Sequence, residues 1–245
     1  MADTKTYIYG KHALTEAFAH MPQAILEVFL IKGFEDEDFL ALVKKHNVRI
    51  TNKLPSGLEA NAVHQGVVAT VSLDKVVRDY RTFMDELSVT EDTSLVLLGE
   101  VQDPQNVGAV IRSAAAFGVA GVLIPEHNQA QITGTVVKVS AGMAFRVPLI
   151  SIGNVNTVIR DCKDRGFASY GLVGGAKYTM TKEAFDLPTL FILGNEAEGI
   201  REKTKELCDK LISIPMHEQC ESLNAATSAS VAFYAWSAKH PKALR

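Results

Sequence analysis

The chain has 245 residues, with 25 Lys and Arg, 28 Asp and Glu, a formal net charge of −3 and 47% hydrophobic residues. This ordinary globular composition excludes wholesale disorder. It also excludes a nucleic-acid binder that works through an overall positive charge, so any RNA contact must rest on a local patch.

Residues 1–73 alternate short helical and strand patterns, which indicates a small α/β domain. The predicted elements are helices at 13–19 and 36–46 and strands at 26–31, 48–51 and 66–71. Residues 74–93 are polar, with 3 basic and 6 acidic side chains. We interpret them as a linker that is partly helical at 80–87.

Residues 94–245 alternate strands and helices more strongly. Strands are predicted at 95–98, 122–124, 190–193 and 211–214, and helices at 107–117, 135–145, 155–165 and 223–238. The strand segments are continuous apolar runs, as expected where both faces of a parallel sheet are covered. The pattern predicts a second domain built on a doubly wound parallel sheet.

Three loops of unusual composition follow predicted strands, and ligands of open α/β sheets bind at the carboxyl ends of strands. The first loop contains Asn106 and Gly108 and leads to Arg112, six residues after Asn106. These residues could converge on one ligand if Asn106 belongs to the loop. The spacing fits equally well an N-cap Asn and a surface Arg, and both interpretations stay open.

The second loop begins with Gly194 directly after a predicted buried strand, and a glycine there permits close backbone approach to a ligand. Glu196 and Glu198 follow. Both could favour the N-terminus of a helix predicted at 199–207 through its dipole. We favour that structural role for Glu198 and a functional role for Glu196.

The third loop runs from Ile214 through Met216 and His217 to Ser222 and Asn224, ahead of the terminal helix. Taken alone, Ser222 and Asn224 are best interpreted as N-cap residues. The chain has no P-loop, no dinucleotide-binding Gly-x-Gly-x-x-Gly after a strand and no Gly-x-Ser-x-Gly nucleophile elbow.

We expect a cytoplasmic protein without a membrane or metal partner. No apolar stretch approaches the roughly 18–20 residues that cross a bilayer, and the first residues do not lead into a signal peptide. Cys162, Cys208 and Cys220 are too few and too scattered for a disulfide framework. His217 and Cys220 lie three residues apart, but no second close pair completes a four-ligand zinc site.

The order of the three loops resembles the three motifs of the SPOUT superfamily, in its SpoU/TrmH branch of RNA 2′-O-ribose methyltransferases. The matching residues are Asn106, Gly108 and Arg112, then 193–196 with Gly199, then 214–216 with 222–224. Residues 9–14 (YGKHAL) and 63–69 (VHQGVVA) are similar to the substrate-binding domain of the rRNA guanosine 2′-O-methyltransferases of this branch, the RlmB-like group.

This resemblance implies a small α/β RNA-binding domain at 1–73, a linker at 74–93 and a SPOUT catalytic domain with a deep trefoil knot at 94–245. It implies S-adenosylmethionine as cofactor, held largely by backbone groups in the knot. The cofactor-binding residues expected by the match are Gly194, Asn195, Ile214, Met216 and Leu223.

The resemblance also implies catalytic roles for Asn106, Arg112, Glu196, Ser222 and Asn224. Arg112 matches the family's essential Arg, proposed there as the general base. A guanidinium pKa above ~12 argues instead for phosphate clamping and stabilisation of the developing alkoxide. By the match, Asn106 orients Arg112 or the ribose, and Glu196 places Arg112 or the substrate. Ser222 and Asn224 contact the substrate phosphate or the cofactor region.

The family is dimeric, and the Ala-rich terminal helix could supply an apolar face for a homodimer or belong to the chain's own core. Residues 225–230 are richer in hydroxyl groups than the start of this helix is expected to be in the family. We expect a guanosine of large-subunit rRNA as substrate. The alternatives are a tRNA 2′-O-methyltransferase and, less favoured because Arg112 and the loop glycines are present, a non-catalytic RNA-binding ribosome-assembly factor.

Overall fold

The chain forms a four-stranded sheet from its N-terminal part and an eight-stranded sheet from the remainder. The computed structural model describes residues 5–56, 58, 64–195 and 197–245. The strands are β1 Lys5–Tyr9, β2 Ile25–Leu30, β3 Arg49–Thr51, β4 Val67–Ser72, β5 Val77–Asp79, β6 Ser94–Leu98, β7 Gly121–Pro125, β8 Leu149–Ile152, β9 Ala168–Leu172, β10 Tyr178–Thr179, β11 Thr189–Leu193 and β12 Lys210–Ser213. The helices are α1 Lys11–His20, α2 Glu37–Lys45, α3 Tyr80–Glu86, α4 Pro104–Ala116, α5 Gly134–Val139, α6 Val155–Asp164, α7 Glu202–Lys205 and α8 Ala225–Ser237.

The N-terminal sheet has the strand order β1-β4-β2-β3, with β4 antiparallel to both of its neighbours and β2 parallel to β3. Ile8 and Val28 of the sheet are buried in one core with Leu14 and Phe18 of α1 and Phe39 of α2. A small α/β domain is therefore present, as the alternation of patterns predicts.

The second sheet has the order β10-β12-β9-β11-β6-β7-β8-β5, and every pair of neighbours is parallel. β6, β7 and β11 are buried along their whole length. Two apolar clusters cover the sheet, one of which is continuous with the core of the N-terminal domain. The predicted α/β fold with a parallel sheet is confirmed. In the described residues, no helix is long and apolar enough to cross a membrane.

The segment interpreted as a linker contributes to the second sheet. β5 pairs with β8, and Phe83 and Met84 of α3 are buried in the core beneath the sheet. α3 lies where the amphipathic pattern at 80–87 predicts a helix. Its apolar side forms part of the core, so this segment packs as part of the second domain. The domain boundaries placed at 73 and 93 stay predictions.

The N-terminal domain packs against α5 and the turn that follows it. Arg146 Nε donates to Glu16 Oε2 of α1 at 2.7 Å. Gly142 has a left-handed φ of 80°, and a Cβ there would lie 2.8 Å from Glu16 Cβ, so only glycine lets this turn approach α1 so closely. At Gly134, a Cβ would lie 2.1 Å from the carbonyl oxygen of Tyr7 on β1. Two close backbone approaches thus fix the contact between the domains.

Candidate active site

A cavity of about 290 Å³ opens at the carboxyl ends of β9, β11 and β12. All five predicted cofactor-binding residues line it, together with two of the predicted catalytic residues. These seven are Gly194, Asn195, Ile214, Met216, Ser222, Leu223 and Asn224. Two of the three loops that the sequence singled out, those of the second and third motifs, therefore converge at the sheet edge where parallel sheets bind ligands.

Residues 172–174 and Ser228 also line the cavity, and sequence analysis missed them. Residues 172–174 lie at the end of β9, a strand that was not predicted. The Gly-Gly pair at 174–175 is the signal that could have found this loop.

Gly194 and Gly199 close the second loop into a tight turn. Asn195 N donates to Gly199 O at 3.0 Å, and Gly199 N donates back to Asn195 O at 2.9 Å. Gly199 has a φ of 70°, and a Cβ on Gly194 would lie 2.2 Å from the carbonyl carbon of Gly199. Both glycines are thus required by the shape of this cavity wall.

The side chain of Asn195 holds the same turn. Its Oδ1 accepts from Ala197 N at 2.9 Å and Glu198 N at 3.2 Å, and its Nδ2 donates to the carbonyl oxygen of Glu100 at 3.0 Å. The Glu100 carboxylate in turn binds Arg201, with 2.7 Å between Glu100 Oε1 and Arg201 Nη2. Glu100 has a left-handed φ of 66° and ties both ends of the segment 195–201 to the end of β6. Sequence analysis missed Glu100 and Arg201.

The predicted role of Glu198 at a helix N-terminus is wrong. The helix predicted at 199–207 is the single turn α7, which begins at Glu202 with Arg201 as its N-cap. Glu198 lies in the preceding turn, where its N–H donates to Asn195. Glu196 and Val63 lie outside the described residues, so the functional role of Glu196 stays a prediction.

Asn106 and Asn224 join the first motif to the third. Asp103 caps α4, and the Asn106 side chain in its first turn is buried. Asn224 caps α8 by accepting from Ala226 N at 2.8 Å and Thr227 N at 3.3 Å, and its Nδ2 donates to Asn106 Oδ1 at 2.8 Å. Asn224 is therefore an N-cap, as its position alone indicates, and also links two motifs.

Arg112 lies apart from this cavity. It is exposed on α4 and lines a second cavity of about 520 Å³ with His12 and Arg146. That cavity is also lined by Ala120 and Pro148, which precede β7 and β8, so it opens at the amino edge of the sheet. Within one chain, Arg112 and the loops predicted to bind the cofactor thus reach different cavities.

One of the hydroxyl groups near the start of α8, that of Ser230, joins this helix to α4. Ser230 Oγ lies 2.7 Å from Ser113 Oγ of α4 and also donates to the carbonyl oxygen of Ala226 at 2.8 Å. The departure from the expected composition of this helix therefore forms a polar contact between α8 and α4.

Residues 93–234 match the SpoU rRNA Methylase family. The chain belongs to this family. Residues 7–76 match the family described as RNA 2′-O ribose methyltransferase substrate binding, so this SpoU methylase carries both domains that the motifs predict. The predicted resemblance, and with it the prediction of an RNA methyltransferase, is confirmed.

Relatives of this SpoU methylase align along nearly its whole length. The 23S rRNA (guanosine-2′-O-)-methyltransferase RlmB of Haemophilus influenzae is 34% identical over 93% of this chain and 95% of its own. The RlmB of Escherichia coli K12 is 33% identical over 93% of this chain and 96% of its own.

Two solved structures share the fold. AviRb, a SpoU methyltransferase from Streptomyces viridochromogenes in complex with AdoMet, superposes with a TM-score of 0.83 at 24% identity, covering 98% of this chain and 92% of its own. An AdoMet-bound rRNA methyltransferase from Sinorhizobium meliloti has a TM-score of 0.79 at 18% identity, with coverages of 95% and 87%.

Proposed function

We propose that the protein transfers the methyl group of S-adenosylmethionine to the ribose 2′-oxygen of a guanosine in large-subunit (23S) rRNA. The observation that carries this proposal is the convergence of the second and third motifs on one cavity in a chain of the SpoU rRNA methylase family. The substrate follows from relatives named for this rRNA reaction that align with both domains.

The cavity at the carboxyl edge of the sheet fits S-adenosylmethionine. Its lining combines apolar residues such as Leu193, Ile212 and Leu223 with the turn at Gly194 and with Asn and Ser residues. A mixture of apolar walls and a few fixed polar groups is what an amphipathic ligand of this size requires. When bound, the cofactor supplies an electrophilic methyl group on a sulfonium.

Arg112 is assigned to the RNA side of the reaction. Its guanidinium can stabilise the alkoxide that develops as the 2′-hydroxyl releases its proton to solvent water, and its planar fork can bind a phosphate. Asn106 accepts a hydrogen bond from Asn224 at the cofactor cavity. Because Asn106 and Arg112 both lie on α4, this bond also ties the helix that carries Arg112 to that cavity. Ser222 and Asn224 line the same cavity, which supports their assignment to contacts with the substrate or the cofactor.

We also propose a homodimer that joins through α4 and α8. Val231 and Tyr234 of α8 are 36% and 62% exposed, and the Tyr234 ring packs edge-on against Phe117 at 5.9 Å. Arg112 lies on the exposed side of the neighbouring α4. Because Arg112 does not line the cofactor cavity of its own chain, a second copy docked on this face would supply it.

The trefoil knot stays a prediction, supported by the meeting of 193–199 with 214–225 around the cavity.

The proposed function is tested by label transfer from tritiated S-adenosylmethionine to purified large-subunit rRNA, small-subunit rRNA and tRNA. We expect label in large-subunit rRNA alone, and its loss in Arg112→Ala. Label in tRNA would favour the tRNA alternative, and cofactor binding without transfer to rRNA, either naked or in ribosomal particles, would favour the non-catalytic assembly factor.

A further inference from the structure

The second cavity lies where the two domains meet, and its basic residues come from three separate segments. His12 lies in the first turn of α1, Arg112 in α4, and Arg146 in the turn that precedes β8. The cavity measures about 520 Å³. Among the described residues that line it there is no carboxylate; apart from its three basic residues, its lining is small or apolar, including Ala115, Met143 and Val147.

We propose that this cavity binds the sugar-phosphate backbone of the RNA next to the target nucleotide, with His12 and Arg146 as phosphate-binding residues. The proposal rests on the proposed function, because it takes the RNA substrate as the source of the phosphate. It extends that function by assigning an RNA path from Arg112 across the domain boundary to α1.

The charge pattern of the cavity points to a polyanion. Within the part of the chain that the structure describes, neither His12 nor Arg112 forms an ion pair. Arg146 is paired with Glu16, through Nε to Oε2 at 2.7 Å and Nη2 to Oε1 at 3.4 Å. The Arg146 side chain is still 51% exposed. The cavity thus holds basic groups in excess of acidic ones in a chain whose overall charge is negative.

The Glu16 pair prepares Arg146 for this role. Glu16 is buried against the Gly142 turn, so its carboxylate fixes one edge of the guanidinium. An Arg side chain has five N–H donors in a planar fork, and the pair with Glu16 engages only Nε and Nη2. A fixed guanidinium with donors to spare loses less conformational entropy when it binds a phosphate.

The apolar lining favours RNA over free phosphate. A free phosphate gains nothing from Ala115, Met143 and Val147, whereas the sugar of a nucleotide can cover such a surface. The cavity also borders the domain that matches the substrate-binding family. Because Arg112 lines the same cavity, an RNA strand held there passes from the reacting ribose directly onto His12 and Arg146.

Two variants test the proposal. His12→Ala removes an exposed side chain from α1, and the double variant Glu16→Gln/Arg146→Gln replaces the ion pair with a neutral, hydrogen-bonding one of similar size. The control is Arg160→Gln, which removes a charge from an exposed position of α6 outside this cavity. The measurement is binding of a fluorescent large-subunit rRNA fragment at several salt concentrations, with calorimetry of S-adenosylmethionine binding as a check on the fold.

We expect His12→Ala to weaken RNA binding about threefold and the double variant about tenfold. The slope of log affinity against log salt should fall by roughly 0.7–0.9 for each lost phosphate contact. Cofactor affinity should not change, and Arg160→Gln should match the wild type. RNA affinity and slope equal to wild type in both variants would overturn the proposal. Saturable binding of inorganic phosphate would also overturn the proposal, if phosphate displaced more of the RNA fragment than chloride does at the same ionic strength.

The binding readout separates this proposal from the proposed function. If the wild type methylates rRNA and both variants bind RNA normally, only the assignment of this cavity is wrong. If the wild type binds the rRNA fragment through His12 and Arg146 but transfers no methyl group, the assignment stands and the proposed reaction is wrong.

Discussion

Glu100 holds the turn between Gly194 and Gly199 that forms one wall of the proposed cofactor cavity. Its carbonyl oxygen accepts from Asn195 and its carboxylate binds Arg201, so one residue at the end of β6 fastens both ends of the segment 195–201. Neither contact is visible in local sequence patterns, because each joins residues about one hundred positions apart.

Glu100→Gln should weaken S-adenosylmethionine binding. An ion pair whose Arg is exposed contributes up to about 1 kcal/mol, so we expect a three- to fivefold rise in the dissociation constant measured by calorimetry. Glu198→Gln is the matched control. It removes a carboxylate from the same turn, and this carboxylate binds no side chain among the described residues. Equal affinity in wild type and Glu100→Gln would show that the turn holds its shape without this contact.

The three thiols should differ in reactivity. Burial raises the pKa of Cys162 to about 11 and that of Cys208 to about 11, while Cys220 is exposed between two residues of the cofactor cavity wall, Met216 and Ser222. Below its pKa a thiol stays protonated and reacts slowly. At pH 8 we expect iodoacetamide to modify Cys220 first, as followed by peptide mass spectrometry, with slower modification when S-adenosylmethionine is bound. Comparable labelling of Cys162 would contradict the burial seen here.

At the scale of elements, Asn224 both caps α8 and bonds to Asn106 of α4, which links the third motif to the first. Asn224→Ala removes the α8 cap, which costs about 1 kcal/mol, and also removes the hydrogen bond to Asn106, which adds roughly 0.5–1.5 kcal/mol. Asn154→Ala is the matched control, because Asn154 caps α6 through Thr157 N in an exposed position. Urea denaturation should show the larger loss of unfolding free energy for Asn224→Ala. Equal losses would mean that the bond to Asn106 adds no stability.

The elements that the sequence predicts best are those whose burial is uniform. β6, β7 and β11 are apolar runs covered on both faces, so composition alone indicates them. β1, β8 and β9 were missed because they mix Lys, Ser, Thr or Gly with apolar residues, and their pairing partners rather than their composition make them strands. The helix predicted at 135–145 ends as α5 at Val139, because Ala141 and Gly142 both adopt a left-handed conformation.

The candidate site was predictable only in part, because its geometry depends on which strands are neighbours in the sheet. The second and third motifs follow β11 and β12, which flank β9 on the two sides, so the strand order brings them to the same part of the sheet edge. Arg112 sits two-thirds of the way along α4, and a helix that runs back from the carboxyl edge carries it away from that edge. The link between Glu100 and Asn195 depends on β6 and β11 being neighbours, which sequence periodicity does not specify.

At the scale of the whole molecule, the separation of Arg112 from the cofactor cavity predicts that one chain is inactive alone. Arg112→Ala and Leu223→Trp, which fills the cofactor cavity, should each abolish transfer. Mixing the two under conditions that exchange subunits should restore activity, because a mixed dimer has one site with both an intact Arg112 and an open cavity. The measurement is methyl transfer to rRNA before and after subunit exchange. No recovery in a mixture shown by native mass spectrometry to contain mixed dimers would contradict a shared site.

The central claim is that this SpoU methylase forms 2′-O-methylguanosine in large-subunit rRNA. The most direct measurement is mass spectrometry of nucleosides from unmodified large-subunit rRNA incubated with the protein and S-adenosylmethionine. We expect a rise in 2′-O-methylguanosine that is absent with Arg112→Ala and maps to one position. A methyl group on a base, or on the ribose of another nucleoside, would contradict it.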